Sequence, residues 1–211
     1  LGYEDFIPDL QKINAAGKNL LVWVDEIIDL SRIESGRAEL KMEDISVADM
    51  IREIESEIRP QVEAAGNTLT VHSPEAVGTM KTDKERARRV LVSLLKNANK
   101  VTKAGEIVLT ARRETVEGTD WISFAVKDSG AGVSAKLLED LFKGHTQTES
   151  SVSSAYGGAA LGLAICHRFS LVMGGNIEAE SELGKGSVFT LRLPARMDVH
   201  LAKTHVIRAT N

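Results

Sequence analysis

We base the predicted fold of this chain on the stretch Val90-Leu-Val-Ser-Leu-Leu-Lys-Asn-Ala-Asn-Lys-Val-Thr102. It continues a helix that follows the capping box Thr82-Asp83-Lys84-Glu85 and runs to about residue 101. Its apolar residues recur at helical spacing and would face a core. Ser93, Asn97 and Lys100 lie at i, i+4 and i+7, so they share one face. This polar line is either a solvated helix edge or one side of a ligand site.

Two glycine-rich segments follow this helix. Asp128-Ser129-Gly130-Ala131-Gly132 comes directly after an apolar strand, which places a carboxylate before backbone that a ligand can approach closely. The second segment runs from Gly157-Gly158 to Leu163 and enters a helix, where free N–H groups favour a phosphate. Each segment alone is a weak signal, because Asp and Gly are ordinary turn formers.

The rest of the chain interleaves helices and strands without strict alternation. This pattern predicts an α/β two-layer sandwich with a mixed sheet, preceded by a long N-terminal amphipathic helix. The further predicted helices cover residues 8–34, 46–65 (with a capping box at Ser46) and 159–173, and the predicted strands cover residues 38–46, 69–72, 106–114, 121–127, 176–180 and 187–193.

The composition excludes several classes of protein. The 211 residues are 43% hydrophobic with a net charge of -4, which is typical of a globular domain and gives no electrostatic reason to expect nucleic-acid binding. A single cysteine, Cys166, and scattered histidines predict no structural metal and a reducing compartment. No apolar stretch approaches the roughly 20 residues that span a bilayer. We therefore expect a cytoplasmic location, and the start at Leu1, inside a helix, predicts a fragment of a longer protein.

In order and spacing, these segments resemble the catalytic and ATP-binding domain of sensor histidine kinases, within the superfamily shared with gyrase-type and related chaperone ATPases. The segments that carry the resemblance are residues 89–107 (N box), 128–132 (G1 box), Leu141-Phe142 with Gln147 (F box), 157–163 (G2 box) and the closing hairpin with Gly184-Lys-Gly-Ser-Val-Phe-Thr.

The resemblance also implies a domain organisation. Residues 1–37, with Ile-Ile-Asp-Leu-Ser-Arg-Ile-Glu-Ser-Gly, resemble the second helix of the family's dimerisation and histidine-phosphotransfer module. Residues 38–195 would be the catalytic domain with its ATP lid, and residues 196–211 a flexible tail. The first helix of the module, which carries the phosphoacceptor histidine in the family, is absent from the sequence.

The resemblance further implies roles for individual residues. Asn97 would ligate Mg2+, Asp128 would bind the adenine amino group, and Gly130 and Gly132 would let the backbone pass close to the nucleotide. Lys143 to Gly158 would be the lid. The other residues that the resemblance assigns to ATP binding are Lys100, Gly157, Gly158, Leu161, Gly162 and Leu163.

The chain departs from the family pattern in and near the lid. Ala159-Ala160 stand where the family has Thr-Gly, and Ser154 precedes Tyr156 where a basic residue is common. Ser93 replaces a family Asn, at the position where the hydrolytic relatives carry a Glu that activates water. Since Ser is a poor general base, the sequence disfavours free ATP hydrolysis.

We therefore expect the ATP-binding catalytic part of a two-component sensor histidine kinase, which transfers the ATP γ-phosphoryl group to a histidine outside this chain. The expected partners are a second copy, bound through the N-terminal helix, a response-regulator receiver domain and an upstream sensor region. The alternative is a degenerate kinase domain with impaired nucleotide binding that acts as a dimeric scaffold or phosphotransfer partner. A nucleotide-hydrolysing clamp is a weaker third interpretation.

Overall fold

The computed structural model describes residues 6–35, 39–72, 75–134, 138 and 162–197. The chain divides into two compact units, Leu1–Glu39 and Leu40–Asn211. The elements, in chain order, are α1 (Ile7–Glu34), β1 (Met42–Ser46), α2 (Val47–Ala64), β2 (Thr68–His72), a short 3-10 turn (Glu75–Val77), β3 (Thr79–Asp83), α3 (Lys84–Val101), β4 (Glu106–Val116), β5 (Thr119–Asp128), α4 (162–172), β6 (Asn176–Glu182) and β7 (Gly186–Pro194).

The first unit is built on α1, a helix of 28 residues. Large apolar side chains stay exposed along it, among them Leu10 (61%), Ile13 (68%) and Leu21 (66%). Most helical stability in proteins comes from packing an apolar face against a neighbour. Because these side chains are exposed, they do not stabilise α1 in this way. Among the described residues, no helix has both the length and the apolar character that crossing a membrane requires.

The second unit is a sandwich of helices on a mixed sheet. The sheet has the order β2-β4-β5-β7-β6, in which β2 and β4 are parallel and the other neighbours are antiparallel. Alternate residues of β4 and β5 are buried, as period-two side-chain alternation requires when one face meets a core. This is the two-layer α/β fold with a mixed sheet that the sequence predicts.

The core lies between this sheet and helices α2 and α3. The largest fully buried side chains are contributed by both layers, including Phe124 of β5, Leu91 and Leu95 of α3, and Ile54 and Ile58 of α2. The helices therefore use their apolar faces on the sheet. Their polar edges remain free to take part in a site.

The helix caps separate one correct prediction from one wrong one. Ser46 caps α2 as predicted, since its hydroxyl accepts a hydrogen bond from the amide of Asp49. Thr82 does not cap α3. It pairs with Glu43 in the β1–β3 ladder and lies one residue too early, because α3 begins at Lys84. Asp83 is the N-cap and accepts from the amide of Arg86 at 3.1 Å.

Strand β3 was missed by the sequence pattern. It pairs with β1 in a separate two-stranded sheet, and on its other side the amide of Lys81 donates to the carbonyl of Ala195 at 2.8 Å. Arg196 pairs with Lys81, and Met197 is buried. The chain therefore keeps ordered contacts up to residue 197, where the sequence predicted a loose tail from residue 196. Residues 198–211 lie outside the described part.

Candidate functional site

Helix α3 presents the predicted polar line at the edge of the core. Its opposite face is buried through Val90, Leu91, Leu94 and related residues, which fixes the rotation of the helix on the sheet. Ser93 and Asn97 are half-buried, and Lys100, in the last turn, is exposed. The amide nitrogen of Asn97 is buried without a hydrogen-bond partner among the described residues. An unpaired buried amide is costly, so this atom marks a place where a ligand would be favoured.

Asp128 is the buried carboxylate of the site. It ends β5 and is 2% exposed. The amide of Gly130 donates to its Oδ1 at 2.8 Å, and Ser187 donates through its backbone amide and its hydroxyl. Burial raises the pKa of Asp128 above its ordinary value, and the hydrogen bonds from Gly130 and Ser187 partly oppose that rise.

The turn after Asp128 requires glycine at two places. A methyl group built at Gly130 would lie 2.6 Å from the carbonyl oxygen of Val101, at the end of α3. At Gly132, where φ is +68°, it would lie 2.1 Å from the carbonyl oxygen of Glu182 in β6. The turn is therefore wedged between α3 and the β6–β7 hairpin, and no side chain fits at either position.

The first described residues of α4 lie beside the polar face of α3. A methyl group at Gly162 would be 3.6 Å from the hydroxyl of Ser93, so the two helices approach each other here. Leu163, also predicted to bind nucleotide, is 8% exposed and belongs to the core. Gly157, Gly158 and Leu161 lie outside the described residues, as do the predicted lid and Ala159-Ala160.

Three further residues shape the site and were not singled out by the sequence. Ser187 is 4% exposed and contacts Asp128, and its hydroxyl lies 2.9 Å from that of Ser181. Ser181 also accepts from the amide of Val133 at 2.7 Å, which ties the glycine turn to β6. A methyl group at Gly186 would lie 2.0 Å from the carbonyl oxygen of Asp128. The run Gly184 to Ser187 was the available signal, but it was interpreted only as a hairpin turn.

The structure thus brings together four of the predicted elements at the end of the central strand β5: the polar face of α3, Asp128, the glycine turn and the first described residues of α4. A buried carboxylate can accept a hydrogen bond from an exocyclic amine. An asparagine side chain offers an oxygen to a hard cation, and a helix N-terminus favours phosphate. This set of groups has the chemistry to hold a purine nucleotide together with Mg2+.

Comparison with known sequences agrees with this arrangement. Residues 82–197, more than half of the chain, match the family described as histidine kinase-, DNA gyrase B-, and HSP90-like ATPase. The chain is 34% identical over 192 residues to the circadian input-output histidine kinase CikA of Thermosynechococcus vestitus, covering 90% of this chain and 26% of the relative. It is 32% identical over 187 residues to hybrid signal transduction histidine kinase B of Dictyostelium discoideum, covering 88% of this chain and 10% of that relative.

The autoinducer 2 sensor kinase/phosphatase LuxQ of Vibrio vulnificus is 31% identical over 182 residues, with 85% of this chain and 21% of the relative covered. The chain therefore spans about a quarter or less of the length of these curated relatives. Among solved structures, full-length ShkA in complex with AMPPNP matches with a TM-score of 0.69 and 29% identity, over 89% of this chain and 38% of that one. On these grounds the chain belongs to the histidine kinase-, DNA gyrase B- and HSP90-like ATPase family.

Proposed function

We propose that this chain binds Mg-ATP between α3, the turn of residues 128–132 and the start of α4, and presents the γ-phosphoryl group to a histidine outside the chain. The observation that carries the proposal is the buried Asp128 carboxylate, held by Gly130 and Ser187 at the base of a glycine turn. A carboxylate in that place suits an amino group of a purine. The ShkA relative is described as a complex with AMPPNP, which supports a nucleotide of this kind.

Asn97 is the residue that we assign to the metal ion. Its side-chain nitrogen is buried without a hydrogen-bond partner among the described residues, and its Oδ1 is the atom that would bind the metal. Mg2+ keeps several waters and usually shares protein oxygens with phosphates, so one amide oxygen with the nucleotide is an adequate ligand set. Lys100, exposed one turn later on the same face, supplies a positive charge toward the phosphates.

Phosphoryl transfer needs positioning and charge neutralisation more than covalent chemistry from the protein. Mg2+, when bound, supplies most of the neutralisation. In this proposal Asp128 accepts a hydrogen bond from the purine base and Asn97 would bind the metal ion. The glycine turn lets the backbone lie close to the nucleotide. Gly162, the first described residue of α4, lies beside Ser93, and in this proposal the backbone at this point faces the phosphates.

Ser93 argues for transfer rather than hydrolysis. It lies on the same face as Asn97, where an activating carboxylate would be needed to deprotonate water, and a hydroxyl is a poor base. The comparisons do not favour the alternative of a degenerate scaffold, because the similar proteins reported above are named as a sensor kinase and as histidine kinases.

The partners that we propose follow from the relatives and from α1. Hybrid kinases and sensor kinases are among the similar proteins, so we propose that the phosphoryl group passes from the histidine to an aspartate of a receiver domain, under control of a sensor region. We further propose that α1 pairs with a second copy of the chain through its exposed apolar residues, and that the catalytic unit works in the cytoplasm.

Phosphotransfer in trans tests this function. The chain, radiolabelled Mg-ATP and a separate dimerisation module carrying the acceptor histidine should give acid-labile, alkali-stable phosphate on the module, and Asp128→Asn should abolish the signal. Release of inorganic phosphate without any labelled module would contradict the proposal and favour a hydrolysing clamp.

A further inference from the structure

We infer that Asn67 is a positioning residue for the nucleotide site, because it holds the loop of residues 102–105 on which the turn of residues 128–132 rests. The inference rests on the proposed nucleotide binding. Asn67 lies between α2 and β2 and is 4% exposed. A polar side chain so deeply buried is kept only where its hydrogen bonds are made.

The side chain of Asn67 forms hydrogen bonds with both ends of the loop of residues 102–105. Its Nδ2 donates to the side-chain oxygen of Asn99 at 2.8 Å and to the carbonyl of Thr102 at 3.1 Å. Its Oδ1 accepts from the amide of Gly105 at 3.1 Å. One side chain therefore ties the end of α3 to the residue before β4.

Between these two anchor points lies a strained residue. Ala104 has φ of +47°, in the left-handed region that residues with a Cβ rarely adopt. Such a conformation persists where the surrounding contacts over-determine it. The bonds from Asn67 to Thr102 and Gly105 flank Ala104 on either side and supply that constraint.

The loop is in direct contact with the turn that follows Asp128. The amide of Glu106 donates to the hydroxyl of Ser129 at 2.9 Å, and the amide of Ser129 donates to the carbonyl of Glu106 at 3.1 Å. Gly105 leaves no space for a side chain, since a methyl group there would lie 2.4 Å from the Ser129 hydroxyl. A shift of the loop would therefore move Ser129 and, with it, the Gly130 amide that donates to Asp128.

The test uses the full chain with two readouts, the dissociation constant for Mg-AMPPNP and the hydrogen exchange of the Ser129 and Gly130 amides. Asn67→Ala is expected to weaken nucleotide binding about tenfold and to speed exchange at both amides by about tenfold or more, the size of one buried hydrogen-bond network lost. Ile54→Val is the control, since it removes a buried methyl from α2, away from the loop. It should lower stability and leave both readouts unchanged.

A rescue experiment separates positioning from general stability. Adding Ala104→Gly to Asn67→Ala should restore most of the lost affinity, because glycine adopts positive φ without the penalty that alanine has. Glu117→Gly is the matched control. Glu117 also has positive φ (+50°) but lies in the β4–β5 turn, so its replacement relieves similar strain and should restore no affinity.

Equal values for Asn67→Ala and Ile54→Val in both readouts would overturn the inference, as would equal rescue by Ala104→Gly and Glu117→Gly. If Asn67→Ala does not fold, Asn99→Ala takes its place. It removes the side-chain oxygen that accepts from Asn67 and keeps the bonds from Asn67 to Thr102 and Gly105, so a smaller change in the same direction is expected. If the unsubstituted chain binds no nucleotide, the proposed function fails, and the exchange rates of Ser129 and Gly130 still decide the role of Asn67.

Discussion

The side-chain nitrogen of Asn97 is buried and unsatisfied, so the effect of this residue on folding stability can be separated from its effect on nucleotide binding. Its nitrogen has no partner among the described residues. Asn97→Ala should therefore leave the free energy of unfolding unchanged or slightly higher, since it removes an unpaired buried polar group. The same change should weaken Mg-nucleotide binding by about tenfold or more, by removing one metal ligand.

Calorimetric titration with and without Mg2+, beside urea denaturation, measures both effects. Lys96→Ala, on the exposed side of the same turn, is the control and should change neither. A loss of stability in Asn97→Ala with undiminished binding would assign Asn97 to the core instead.

The raised pKa of Asp128 should make the free energy of unfolding of the domain depend on pH. Burial raises the pKa of this carboxyl in the folded chain, while in the unfolded chain it returns toward 3.8. The folded state therefore binds the proton more tightly, and protonation stabilises it. As the pH falls from neutrality through the raised pKa toward 3.8, the unfolding free energy of the native sequence should rise relative to that of Asp128→Asn.

Urea denaturation of both proteins at a series of pH values measures this difference. An unchanging difference across the range would show that the Asp128 carboxyl is not destabilised in its ionised form.

At the scale of elements, the contact between the glycine turn and the β6–β7 hairpin gives a matched pair of variants. Gly132→Ala places a methyl group 2.1 Å from the Glu182 carbonyl at a φ of +68°, so it should cost about 3 kcal/mol or more. Gly184→Ala has a similar φ of +78° with open space around the Cβ position, so it should cost only about 1 kcal/mol. Equal losses in thermal or chemical denaturation would mean that the turn is not wedged against β6.

Elements with a strong local signal were predictable from the sequence. The apolar face of α3 and the Ser46 cap each depend on residues close together in the chain. Strand β3 was missed because its order comes from pairing with β1 and with residues 195–196, which are distant in sequence. The prediction of Thr82 as the cap is wrong because the capping-box pattern does not decide which of the neighbours Thr82 and Asp83 accepts from the first turn of α3.

The candidate site shows the same division. Residue type and spacing are enough to predict a ligand site at Asp128, Gly130 and Asn97. Ser187 and Ser181 do not, because serine in a hairpin is ordinary, and their contacts with Asp128 and Val133 arise from sheet register. Asn67 acts through a loop, so no local pattern indicates it.

At the scale of the whole molecule, the two units should be separable. The exposed apolar residues of α1 give the full chain a surface that would bind a second copy, whereas the unit starting at Leu40 has its own core. We expect residues 40–211 to be monomeric and to bind nucleotide with an affinity within about twofold of the full chain. The full chain should associate, and Leu21→Glu should reduce that association.

Light scattering of the three proteins measures their mass. A monomeric full chain would contradict the proposed pairing through α1, and a shortened chain that fails to fold would contradict the independence of the second unit.

We propose above all that the site formed by α3, Asp128 and the glycine turn binds a magnesium nucleotide. Isothermal titration of the full chain with Mg-AMPPNP, beside Asp128→Asn, tests it most directly. We expect saturable binding at one site per chain that depends on Mg2+ and is lost in Asp128→Asn while that variant keeps its fold. The absence of binding to the native sequence, or equal binding by Asp128→Asn, would contradict it.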